Sequence, residues 1–202
     1  MTTESLLTKL TKQRTAAEYQ MLSRESITWL KTKIAEIRRP STIPVTIKGE
    51  TYRNTTRFLK GGLYFFYYNP KGKAELPYYD AFPLVLVLDR HSDGFLGLNL
   101  HYLPVKQRIL LLSKLVAYGG VYTEQDELKR VRITYDILQS TKRFKEFRPC
   151  LKKYLYHNVK SKMLAVQPDE WDVATMLPTH LFKKEKAPAI WKESMQEIRE
   201  NS

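Results

Sequence analysis

The chain has 202 residues, 43% hydrophobic and 27% charged, enough to bury a core without covalent staples. Its longest strongly apolar runs, 82–88 and 109–112, are far too short to cross a bilayer, and a single cysteine, Cys150, excludes an internal disulfide or a Cys-based zinc site. The 34 Lys and Arg against 21 Asp and Glu leave a net charge of +13, which turns attention to anionic partners.

Residues 1–22 are polar and weakly patterned, a frayed helix or an arm. The first well-patterned helix is 23–38, where Ile27, Leu30, Ile34 and Ile37 share one face and Pro40 and Pro44 end it. Residues 46–60 read as a loop or short hairpin. LYFFYY at 63–68 predicts a strand, 69–72 a turn, and 74–79 a second extended piece closing a hairpin, with Pro77 keeping it at an edge. Residues 82–88 are of strand length, and 91–94 supply a turn. Residues 95–103 alternate, with Leu96, Leu98, Leu100 and Tyr102 on one side, which predicts a half-buried strand.

Pro104 opens a helix to about residue 117, with Ile109, Leu112, Leu115 and Val116 on its apolar face and Gly119-Gly120 as its stop. A second helix is expected over 123–139. Residues 149–160 read as a third, with Leu151, Tyr154, Leu155 and Val159 inward and Lys152, Lys153, Tyr156 and Lys160 outward. Residues 163–166 form a short strand or link. Residues 169–177 form a short helix capped by Asp169, and a helix is expected around 190–199. The predicted class is α+β: a small antiparallel sheet or SH3-like partial barrel over about 63–103, packed with several helices. The expected organisation is a basic helical arm (1–60), a core (61–182) and a charged helical tail (183–202).

Charge is unevenly placed. Residues 1–60 carry +7, residues 61–140 only +1, residues 141–162 +7, and residues 163–202 −2. The third block sets Lys142, Arg143, Lys145, Arg148, Lys152, Lys153, Lys160 and Lys162 against Glu146 alone, with Phe144, Phe147, Tyr154 and Tyr156 interleaved. Such a field attracts a phosphate backbone, and these eight cations with Tyr156, Arg38 and Arg39 are the candidate nucleic-acid contacts. Charge runs are usually solvated faces, but here compensating acids are almost missing. Most of the aromatics read as core. With no helix-turn-helix, RNA-binding aromatic motif or zinc finger, binding is expected to rest on phosphates and shape.

Catalytic groups are not legible. His91, His101, His157 and His180 make no short metal-ligand spacing, His101 reads as structural, and Cys150 reads as a buried thiol. No Walker loop or GxSxG occurs. Glu127-Leu128-Lys129 has a spacing found in some nucleases, but the one Pro-Asp, Pro168-Asp169, follows it. Asp169, Glu170 and Asp172 fit a helix first turn equally well. A metal-dependent nuclease remains an alternative. Neither cofactor nor metal is expected, and with no signal-length apolar segment near the N-terminus the chain reads as soluble and cytoplasmic-type.

Three stretches carry a resemblance: YFFYYNPKGKAELPYYDAFPLVLVLDRHSDGFLGLNLHYLP from Tyr64, ITYDILQSTKRFKEFRPCLKKYL from Ile133, and VQPDEWDVATMLP from Val166. They resemble small proteins of T4-like tailed phages known as DNA end protector or head-completion proteins. The likeness covers about 60–184, with a looser match before it through the helix around 26–30. It brings no catalytic motif to transfer. It implies a virion protein, present in the host cytoplasm during infection, that binds ends of packaged double-stranded DNA without sequence preference and shields them from host exonuclease. It also implies a part in completing the head, with portal or neck proteins as partners and no membrane. The alternative is a structural neck or baseplate protein whose basic patches meet acidic proteins.

Overall fold

The computed structural model describes residues 28, 60–119, 146–166 and 170–200. Apart from residue 28, which is helical, the expected helix over 23–38 lies outside these residues, as do the helix over 123–139, nearly all of the N-terminal arm and the Asp169 cap.

The class is α+β, as expected. Strands β1 (Leu63–Phe65), β2 (Tyr79–Asp80), β3 (Leu84–Arg90) and β4 (Gly94–Asn99) lead through a 3-10 turn to helix α1 (Val105–Gly119). After the undescribed segment come α2 (Phe147–Cys150), β5 (Leu151–Leu155), a second 3-10 turn (Tyr156–Asn158), β6 (Leu164–Val166), α3 (Trp171–Met176), β7 (Phe182–Lys183) and α4 (Ala187–Glu200). The main sheet is antiparallel, in the order β5-β4-β3-β1-β6, and β2 pairs with β7 in a separate ribbon.

Four expectations are corrected. Residues 149–160 are not a helix: after one helical turn the chain extends as β5, which pairs along β4 from Gly94↔Leu155 to Leu98↔Leu151. The piece at 74–79 closes no hairpin with β1. Residues 71–75 turn, with Gly72 at φ 68°, and Tyr79–Asp80 bonds to Phe182–Lys183 instead. Asn99 ends β4 by accepting from the His101 N–H at 3.1 Å, so residues 100–102 coil into a 3-10 turn. Finally, the sheet reaches beyond 63–103 for β5 and β6, because β1 and β4 each leave an edge to be paired.

Period two explains the core. Leu63 and Phe65 of β1 and Leu84, Leu86 and Leu88 of β3 face one cluster, with Leu111, Leu112 and Leu115 of α1, Trp171 of α3 and Ile190 of α4. Tyr64, Phe66, Val85 and Val87 face the other, with Phe95, Tyr154, Val159 and Met163. A strand buried on both faces must read as a continuous apolar run, which is what β3 is. The same holds for β4: Phe95 and Leu98 are both fully buried, so the strand is covered on both sides rather than half-buried. The second cluster is aromatic. Phe66 meets Tyr154 edge-on at 5.3 Å between centroids, Phe95 stacks on Tyr154 at 5.3 Å, and Tyr68 meets Tyr154 at 4.9 Å.

Between α1, α3 and the 3-10 turn lies Arg108, fully buried. Its Nε donates to the Leu103 carbonyl at 2.7 Å, and its Nη groups reach the carbonyls of Leu177 (3.3 Å), His101 (3.4 Å) and Thr175 (3.5 Å). Burial pushes its guanidinium down to about 10, against the pull of Asp80.

Candidate nucleic-acid interface

The β3–β4 hairpin tip, the end of β5 and the second 3-10 turn meet in one ridge. The Tyr156 N–H donates to the Asp93 carbonyl at 3.0 Å, and the His91 N–H to that of Gly94 at 2.8 Å. β4 and β5 approach so closely that a Cβ on Gly94 would lie 2.0 Å from the Tyr154 carbonyl oxygen. The loop after the turn is bound to the end of β1. Lys160 N–H donates to Tyr67 O at 2.7 Å, Asn69 N–H to Asn158 O at 3.0 Å, and Tyr67 N–H to Ser161 Oγ at 2.8 Å. A buried aromatic cluster and backbone bonds thus fix a surface whose tips are polar.

On this ridge Lys153, Lys160 and Lys162 are exposed. The Lys153 ammonium lies 2.8 Å from Asp93 Oδ2, and Lys160 Nζ donates to the His157 carbonyl at 2.8 Å. Tyr156 is half-buried, 6.0 Å from the Phe95 ring, so it is not the fully outward side chain a helix would have made it. Arg148 is exposed on α2. Lys152 parts company with the others. It is half-buried, with Nζ 4.4 Å from the centre of the Tyr102 ring. Burial lowers its ammonium, opposed by the carboxylates of Glu197 and Glu193 on α4. The helical reading grouped Lys152, Lys153, Tyr156 and Lys160 on one face. The strand instead puts Lys152 and Lys153 on opposite faces, with Lys153 exposed beside Asp93, while Tyr156 and Lys160 follow the strand in the 3-10 turn and the loop after it. Lys142, Arg143, Lys145, Arg38 and Arg39 lie outside the described residues.

The hairpin tip and the turn after β1 carry exposed basic side chains that were not among the expected contacts. Arg90 and His91 are exposed at the hairpin, Lys71 and Lys73 in the turn after Asn69. The hairpin also carries Asp89, ion-paired with Lys60, so the ridge is cationic but not free of carboxylates.

The histidines and the thiol are elsewhere. His101 is fully buried, with Nδ1 donating to Asp80 Oδ2 at 2.7 Å and Nε2 accepting from Thr179 Oγ1 at 3.0 Å, a tautomer that satisfies both partners. Burial pushes its imidazole down to about 4, though Asp80 pulls the other way. Asp80 also accepts from the N–H groups of Phe82 and Leu181 and from the Asn99 amide. Burial opposes its charge, but His101 and the backbone bonds hold the carboxyl below its ordinary range. An Asp-His-Thr chain sealed in the core reaches no substrate; it braces β2, the 3-10 turn and the approach to β7. Burial raises the Cys150 thiol, which keeps it protonated and inert. Among the described residues, no group of three or more His, Cys, Asp or Glu is placed to hold a metal ion, and no helix is long and apolar enough to cross a membrane.

A family model described as phage T4 terminal DNA protecting protein matches residues 7–194, more of the chain than the 60–184 that carry the resemblance. No curated protein and no solved structure matches.

Proposed function

Because the chain belongs to the phage T4 terminal DNA protecting protein family, we propose that it binds the ends of packaged double-stranded DNA without sequence preference and shields them from host exonuclease. On this reading it travels in the virion and acts in the host cytoplasm after entry, holding DNA rather than cutting it. The observation that carries the proposal is the family match, which spans the whole basic block 141–162. The ridge supports it: Lys153, Lys160 and Lys162 stand exposed on a frame fixed by strand pairing, a placement suited to phosphates and not to base edges.

The test is protection. Linear and circular duplex are incubated with the protein, and a processive exonuclease is then added. The expected result is that linear DNA survives with the wild-type protein and is digested with Lys153→Glu/Lys160→Glu/Lys162→Glu. Digestion of linear DNA at the unprotected rate with wild-type protein overturns the proposal, as does loss of DNA in Mg²⁺ before any exonuclease is added.

A further inference from the structure

Asp93 stands at the tip of the β3–β4 hairpin, and its Oδ2 lies 2.8 Å from Lys153 Nζ. Both side chains are about half exposed, at 53% and 52%, so solvent screens the pair and it contributes little to the fold. The carboxylate nonetheless occupies the position, relative to Lys153, that a phosphate oxygen of a bound duplex would take. The tip is held in place by the Tyr156 N–H bond to the Asp93 carbonyl, so the carboxylate is tethered beside the lysine. Lys153 is the leading cause holding Asp93 below its ordinary range, and Asp93 therefore keeps its negative charge. The same hairpin repeats the arrangement at its other shoulder, where Asp89 holds Lys60.

We propose that Asp93 is a specificity-determining residue of the DNA interface: a tethered phosphate substitute that occupies Lys153 until a duplex displaces it. The inference rests on the reading of the ridge as the DNA-binding surface. A phosphate reaching Lys153 must first release Asp93 and then lie near its charge. An isolated phosphate or a short oligonucleotide meets that opposition with one or two contacts. A duplex meeting Lys160 and Lys162 as well overcomes it. The carboxylate thus trades affinity for discrimination against weak polyanions.

The experiment is equilibrium binding of a labelled blunt-ended duplex across a salt series, with wild type, Asp93→Asn and Lys153→Gln, each checked by thermal melting. Asp93→Asn is expected to bind about two- to fivefold more tightly, the range set by a screened ion pair. Its dependence of log K on log salt should stay close to that of the wild type, because the duplex reaches Lys153 in both proteins. Lys153→Gln should weaken binding and flatten the slope. If Lys153→Gln weakens binding while Asp93→Asn binds as wild type or more weakly, the role of Asp93 is overturned and the ridge stands. If neither variant changes affinity or slope, the ridge is not the duplex-binding surface and both readings fall.

Discussion

At the scale of single residues, the polar groups that matter most to the fold are those furthest from water. Arg108 shares the inner side of α1 with Leu111 and Leu112, so hydropathy alone predicts it outside. What holds it inside is a set of backbone carbonyls left over where α3 and the 3-10 turn end, and no pattern within α1 announces them. His101 was legible as structural, though its partners Asp80 and Thr179 lie 21 and 78 residues away. Its titration has a definite sign. The folded imidazole protonates near 4, the unfolded one near 6.5, so between those values the unfolded state binds more protons. Stability is therefore complete above about pH 6.5 and falls as pH drops toward 4, by on the order of 3 kcal/mol from this group. His180, lowered mainly by burial, adds in the same direction. Thermal melting from pH 7.5 to 4.5 should show this loss, and His101→Gln should be less stable at neutral pH but flatter over the same interval. An equal slope in both proteins would assign the acid sensitivity elsewhere.

At the scale of elements, β5 shows where local reading stops. Leu151, Tyr154, Leu155 and Val159 have helical spacing, and nothing within the segment contradicts a helix. The deciding facts lie on β4: Gly94 has no side chain to obstruct the Tyr154 backbone, and Phe95 offers a ring to Tyr154. The two lysines also suit an edge strand, where charge discourages pairing with other chains. By contrast β3 and α1 were readable, because a long apolar run and a Pro-initiated amphipathic helix need no distant partner to be recognised. The expected faces of the basic segment suffered accordingly: its division into packed and exposed side chains followed a helix where the chain runs as a strand. Gly94→Val tests the pairing. Its Cβ would collide with the Tyr154 carbonyl, so β4 and β5 must separate, at a cost of about 1–3 kcal/mol for an overpacked contact. Denaturant melts should show that loss together with weakened duplex binding. An unchanged midpoint would mean that the strands do not meet there.

For the whole molecule, the balance of +13 makes association with DNA strongly salt-dependent. Lys160→Glu/Lys162→Glu should lower the salt slope by roughly 2, with equal losses on unrelated duplex sequences. Losses that vary with sequence would point to base readout. The ordering of the chain has its own consequence. β1 is paired on one side by β3, about twenty residues away, and on the other by β6, about a hundred residues away, with Leu63 opposite Val166. Translation covers that distance in roughly 5–20 s. Throughout that interval the nascent chain carries LYFFYY, a β-prone and uncharged run, with its second edge open. The end of the chain is equally necessary: β7 completes the ribbon with β2, and the Trp191 indole donates to the His101 carbonyl at 2.8 Å. β1 thus gains its second partner only after β6 has left the ribosome, and overproduction at high temperature should favour aggregates seeded at this strand.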